Sequence, residues 1–271
     1  MVTTIGDVAG LRATIRGLTP RPARRIAVLI QMRHHVVRRP RESLNYVLRG
    51  RETINFTYPI SNRDELVDFV AGLTGDPRAA GYFSELEQDS ELAGWLREGL
   101  ATRKDREKEP YFGRRVVWYA LVRLRKPRLV VETGVHDGLG SAVILRALER
   151  NGKGRLLGMD ISPTSGWLIP LQLRDRFDFQ LGPSLASIET LVQPVDIFLH
   201  DSDHRYAYET AEYVAVAPKL TKAGTLISDN AHACDALKDY ATRSQRRFGF
   251  CRELSAHHWY PGAGVGVAVP D

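Results

Sequence analysis

The chain has 271 residues, 43% of them hydrophobic, enough to bury a full core in one large domain or in a domain with an appendage. No apolar run approaches the roughly 18 to 20 residues that a spanning helix needs, and the opening MVTTIGDVAG lacks the basic and apolar regions of a cleaved leader, so a soluble globular protein is expected. The formal charge of +6 is unevenly placed: eleven arginines face a single acid, Glu42, between Arg12 and Arg51, whereas Asp64 to Glu98 is acidic on balance.

The two cysteines, Cys234 and Cys251, have neither pairing nor zinc-like spacing. Reduced side chains and a cytoplasmic home are expected. The basic N-terminus offers a surface for nucleic acid, anionic lipid or an anionic substrate, or simply a solvated helical face.

Residues 1–108 read as a helical accessory region. RRIAVLIQMRHHVV has helical spacing, SNRDELVDFVAGL opens on a Ser61 or Asn62 cap with acids in the first turn, and SELAGWLREGLA repeats that logic. The charged stretch TRKDREKEP, ending in Pro110, suits a hinge, and YFGRRVVWYALVRLRK then reads as an amphipathic helix.

From Leu129 strands and helices alternate, and residues 109–271 are expected to form one α/β domain. Strands are expected at 128–133, 154–160, 177–181, 195–200 and 224–229, with helices at 139–151, 165–175, 184–193, 205–220 and 233–246. Such alternation predicts a parallel sheet with helices on both faces. At the end, FGFCRELSA and GVGVAV are separated by HHWYPGAG, too short for a parallel crossover, so the last two strands should pair antiparallel.

The chemistry gathers at predicted strand exits, the edge where open α/β sheets bind ligands. VVETGVHDGLGS ends a greasy strand on Glu132 and turns through Gly134, Gly138 and Gly140. His136 stands where a pyrophosphate loop would have a second close glycine, so the wider turn suits a ligand without a pyrophosphate. LLGMDIS places Asp160 at the second exit, where a carboxylate can accept from two ribose hydroxyls. VDIFLHDSDHRYAYE crowds His200, Asp201, Asp203 and His204 at the fourth exit, and TLISDNAH ends the fifth strand on Asp229 and Asn230.

Over residues 112–271 these stretches resemble the class I S-adenosylmethionine-dependent methyltransferases, in particular a branch with an Asp-x-Asp-His-x-Tyr stretch. The resemblance implies a seven-stranded, mostly parallel Rossmann-like sheet, order 3-2-1-4-5-7-6 with strand 7 antiparallel, beside the N-terminal helical region. It places Glu132, Gly134, His136, Gly138, Asp160, Ser184 and Asp201 around S-adenosyl-L-methionine. At the third exit, relatives often show Gly-Asp-Ser where this chain has Gly182, Pro183 and Ser184; the usual acid is missing, and Ser184 is expected to cap the helix and approach the adenine. By resemblance to catechol-type and macrocin-type O-methyltransferases, Asp201, Asp229 and Asn230 match a Mg²⁺ site, an assignment that hard oxygen ligands suit.

A divalent ion on the acceptor oxygen would lower its pKa and fix its line of attack. Asp201 or His204 is the expected catalytic base, with His200 and His232 behind them, and without a metal His204 leads. Tyr206, Tyr208, Trp167, Trp259 and Tyr260 are candidates for the acceptor pocket or for the core. The expected reaction is O-methylation of a hydroxylated small molecule, sugar or glycolipid. No specific nucleic-acid partner is expected; a membrane-surface or lipid-linked acceptor and a homo-oligomer stay open. The competing classes are a nicotinamide oxidoreductase, disfavoured by the glycine spacing and the absence of a Tyr-x-x-x-Lys pair, and a binding protein that uses the basic N-terminus.

Overall fold

The computed structural model describes residues 58–103, 108–256 and 262–271. The segment expected to form the arginine-rich helix, residues 104–107 of the hinge stretch, Trp259 and Tyr260 lie outside them. Helices α1 (Arg63–Thr74), α2 (Ala79–Glu87) and α3 (Ser90–Ala101) come first, and α4 (Arg115–Arg125) leads into the sheet. There follow β1 (Leu129–Thr133), α5 (Leu139–Arg150), β2 (Arg155–Asp160), β3 (Phe177–Leu181), α6 (Ser184–Glu189), β4 (Val195–His200), α7 (Tyr206–Val216), β5 (Leu220–Ser228), α8 (Ala236–Arg243), β6 (Arg246–Arg252) and β7 (Gly264–Pro270).

The seven strands lie in the order β3-β2-β1-β4-β5-β7-β6. Pairs β1–β2, β1–β4, β2–β3 and β4–β5 are parallel, while β7 runs antiparallel to both β5 and β6. Both the sheet order and the antiparallel end match the expectation. The short link between β6 and β7 leaves no length for a crossover, which is why the sheet closes in this way.

Between β2 and β3 the expected helix is absent. Residues 163–168 turn instead, and a single 3₁₀ segment, Leu171–Arg176, precedes β3. Pro163, the left-handed Gly166 (φ 77°) and Pro170 interrupt any longer helix.

Alternation along the strands sends side chains into two apolar layers. Val130, Ile197, Leu199 and Ile227 join Trp118, Leu121, Val143 and Leu145 on one face. Leu129, Val131, Phe198 and Leu226 meet Ile188, Tyr213, Val216 and Leu237 on the other. The first layer continues into Leu66, Val70, Phe83, Leu92 and Leu96 of α1 to α3, so these helices share their core with α4 and α5. Asp89 caps α3 by accepting from the Leu92 N–H at 2.9 Å and also pairs with buried Arg146 of α5 at 2.7 Å. No helix among the described residues is long and apolar enough to cross a membrane.

Candidate active site

The exits of β1, β2, β4 and β5 stand abreast because the parallel register carries on past the strands. Thr133 pairs with Met159 and His200, and His200 with Ser228. Beyond them the Gly134 N–H donates to Met159 O at 2.8 Å, Asp201 N–H to Thr133 O at 2.9 Å, and Asp229 N–H to His200 O at 2.8 Å. Gly134 sits at φ 86°, and a Cβ there would collide with the Asp201 carbonyl. A glycine is therefore required for the first and fourth exits to lie this close.

On the β1–β2 side, Glu132 is 1% exposed and accepts from the Ser141 hydroxyl. Burial pushes its carboxyl up to about 8, against the pull of Ser141 and Arg115. Asp160 accepts the His136 N–H at 2.8 Å on one oxygen and the Ser162 N–H at 2.9 Å on the other. These bonds fix the carboxylate and leave each oxygen further acceptor capacity. His136 takes a left-handed φ of 51° to present its N–H, and its side chain is exposed. Gly138 (φ 95°) brings the turn against Ile169 and Gly166, where a Cβ would lie 2.6 Å from Ile169 Cγ1. Next to it, buried Asp137 accepts the Leu139 N–H at 3.1 Å.

Ser184 is the first residue of α6. It makes no helix-capping bond; its buried hydroxyl contacts Glu212 and, at 2.9 Å, the Tyr208 hydroxyl. Tyr206 is exposed and donates to Asp239 at 2.8 Å, and Trp167 lies under the Arg103 guanidinium at 4.6 Å.

On the β4–β5 side, Asp201, His204 and Asp229 each offer a ligand atom within 4.8 Å of the others. Asn230, also left-handed at φ 52°, turns its Nδ2 to Asp229 Oδ2 at 2.9 Å and to His204 Nε2 at 3.1 Å. Arg114, at the start of α4, donates from Nε and Nη2 to the two oxygens of Asp229. Its Nη1 reaches Glu253 Oε1 at 2.9 Å, and Glu253 also takes Arg114 N–H at 2.5 Å, Ala263 N–H at 3.0 Å and the Tyr58 hydroxyl. Burial opposes ionisation of Asp229, but Arg114 overrides it and holds the carboxyl at about 2. Asp201 goes the other way, pushed well above the usual range by burial and by the Asp229 charge. Burial lowers His204, so the imidazole is neutral at pH 7. His232 is lowered to about 4 by burial and by Arg252, and its Nδ1 accepts the Gly264 N–H at 3.0 Å, which makes it a structural neutral ring.

This arrangement of exits agrees with the comparisons. Residues 131–231 match the family model for a methyltransferase domain. The matched segment is similar to methyltransferase domains, and the sheet order is the one that the class I S-adenosylmethionine-dependent resemblance implied. The fold is similar to that of an O-methyltransferase of Bacillus cereus solved with S-adenosylhomocysteine (15% identity, TM-score 0.52, 76% of this chain and 97% of that one). It is similar too to the O-methyltransferase TomG of Streptomyces achromogenes, involved in tomaymycin synthesis and solved with S-adenosylmethionine (17% identity, TM-score 0.51, 67% and 88%). No curated protein sequence matches the chain.

The β1–β2 side of the rim fits the chemistry of S-adenosylmethionine. Asp160 is a positioned, partly exposed carboxylate where ribose hydroxyls need an acceptor, and Glu132 is a buried acid that only a cation would keep ionised at neutral pH. The Mg²⁺ ligand set does not fit in the same way. Asp201, Asp229 and Asn230 do come together, but both oxygens of Asp229 are held by a guanidinium and Asn230 points its amide nitrogen, not its oxygen, at Asp229. A second cation there would have to displace or repel Arg114.

Arg114 and Glu253 were not among the sequence candidates. GRR reads as the polar start of an amphipathic helix, and Glu253 follows an edge strand with no motif around it. The available signal was Gly113, left-handed at φ 53°, where a Cβ would lie 2.7 Å from Glu253 Oε2. A glycine directly before two arginines at a helix start marks such a close approach only once its partner is known.

Proposed function

We propose that the protein transfers the methyl group of S-adenosylmethionine to a hydroxyl oxygen of a small molecule, sugar or glycolipid, with His204 as base and without a divalent ion. When bound, S-adenosylmethionine supplies an electrophilic methyl that leaves sulfur as an oxygen nucleophile takes it, giving S-adenosylhomocysteine. Asp160 holds the ribose hydroxyls, and Glu132 faces the amino group of the methionine part. His204 Nε2 takes the proton of the acceptor hydroxyl as the oxygen attacks. The observation that carries this reading is the bidentate Arg114–Asp229 pair, which already supplies a buried positive charge at the fifth exit. Asp201, raised well above the usual carboxyl range, donates to Asp229 in its protonated form and leaves the base role to His204.

The test has two stages. Calorimetric titration with S-adenosylmethionine and with NAD identifies the donor, and only the former is expected to bind. Methyl transfer to a panel of catechols, hexoses and lipid-linked glycans is then measured with and without EDTA. Activity that persists in EDTA and falls about 10²- to 10⁴-fold in His204→Ala supports the proposal. Activity abolished by EDTA and restored by Mg²⁺ returns Asp201, Asp229 and Asn230 to the metal role.

A further inference from the structure

Beneath the fourth exit, on the face of the sheet covered by α7, lies a run of buried polar side chains. His200, the last residue of β4, is 0% exposed, and its Nδ1 lies 2.6 Å from Glu212 Oε2. That oxygen also accepts the Thr133 hydroxyl at 2.9 Å, while Oε1 accepts from Ser202 at 2.7 Å and from Ser184. Surrounded by donors, Glu212 is a carboxylate, so the hydrogen between it and His200 belongs to the ring nitrogen. One turn earlier on α7, Glu209 Oε1 accepts from Tyr213 at 2.6 Å and from Ser228 at 2.7 Å. Glu209 Oε2 lies 3.4 Å from His200 Nε2 and takes the Cys234 thiol at 3.3 Å.

His204 bridges this buried group and the rim. Its ring stands edge-on to His200 with centroids 5.3 Å apart, and a nitrogen of each ring lies within 4.8 Å of the other and of a Glu209 oxygen. His200 Nε2 and His204 Nδ1 are both buried and neither has a hydrogen-bond partner. The outer nitrogen, His204 Nε2, faces Asn230 Nδ2 at 3.1 Å. That amide atom is a nitrogen because it lies 2.9 Å from Asp229 Oδ2, where an amide oxygen would oppose a carboxylate. Nε2 must therefore accept, and the single hydrogen of the neutral ring sits on the buried Nδ1.

We propose that Glu212, His200 and Glu209 are positioning residues that hold His204 as its Nδ1–H tautomer and so keep the Nε2 lone pair at the rim. The inference rests on the reading of His204 as base. It adds the reason that this ring points its basic nitrogen outward, and it supplies buried carboxylates to stabilise the imidazolium formed when Nε2 takes the acceptor's proton. His200, His204 and Glu209 also present the nitrogen and oxygen donors of a zinc site.

The experiment is a ¹⁵N–¹H correlation spectrum of the full chain labelled at histidine nitrogen, with the His204 signals identified by their loss in His204→Gln. The expected result at neutral pH is a protonated Nδ1 and an unprotonated Nε2. Glu209→Gln and Glu212→Gln should shift population to the Nε2–H form. They should also lower kcat on the catechol, hexose and lipid-glycan panel at least about ten-fold, with KM for S-adenosylmethionine unchanged. An Nε2–H tautomer in the unaltered protein, or stoichiometric zinc in it, overturns the inference; neither observation requires a buried variant to fold. The base reading fails separately if His204→Gln retains full turnover while the unaltered protein shows the Nδ1–H tautomer.

Discussion

At the exits of β1 and β2 the acids keep acceptor capacity to spare, whereas at the exits of β4 and β5 they are consumed by the protein itself. Asp160 is bonded by two backbone amides and still open to the rim, and Glu132 has one hydroxyl donor and no direct cation. Asp229 and Glu253, by contrast, share one arginine between them, with further donors from Tyr58, Asn230 and Ala263. An incomplete set of partners marks the half that waits for a charged, hydroxylated ligand. On the proposed mechanism, a completed set marks the half that meets a neutral acceptor and holds its own field steady while a proton moves.

The strongest way to break the contrast is to remove the cation from the completed half. Arg114→Met leaves two buried carboxylates without their shared guanidinium and should cost about 3–5 kcal/mol of stability, read as a lowered urea midpoint. Loss of Asp229 with it, in Arg114→Met/Asp229→Asn, should recover part of that cost. A double variant no more stable than the single one would mean that the pair does not couple.

On the open half the expected effects are on binding. Asp160→Ala removes the carboxylate proposed to accept from the ribose and should weaken S-adenosylmethionine by roughly 10- to 150-fold in calorimetry, the range for charged hydrogen bonds. Unchanged affinity would move the cofactor away from this exit.

Glu132→Gln should act in opposite directions on binding and stability. Without the carboxylate, the methionine amino group loses its counter-charge and affinity falls about ten-fold. The free protein should gain stability at high pH. A carboxyl raised from 4.5 to about 8 stays protonated in the fold where the unfolded chain ionises, so stability declines as pH climbs from about 4.5 to about 8 and levels above that. The Gln variant should lack this decline, which thermal melts between pH 5 and 9 would show.

The same division governs how far the sequence could be read. The alternation of strands and helices, the antiparallel end and the acids at four exits follow from local signals: β-branched runs, glycine turns and the length of the last connection; the strand order is implied by the family resemblance alone. Glu132, Asp160, Asp201 and Asp229 sit at strand ends, where position along the chain fixes position on the rim. The completed half depends on contacts remote in sequence. Arg114 meets Asp229 and Glu253 across 115 and 139 residues, and no period or motif links them. The missing helix before β3 shows the same limit on a smaller scale, since Gly166 and Pro170 break the strand–helix alternation expected there.

Ser184 offers the finest test, because it was expected on the open half and belongs to the closed one. The residue is 6% exposed, and its hydroxyl is bonded to Glu212 and Tyr208. Ser184→Ala should therefore cost about 1 kcal/mol of stability, the usual worth of one buried hydrogen bond. Affinity for S-adenosylmethionine should change by less than about two-fold, under half a kcal/mol. If instead affinity falls while stability holds, the hydroxyl reaches the adenine after all, and the boundary between the two halves of the rim runs on the other side of α6.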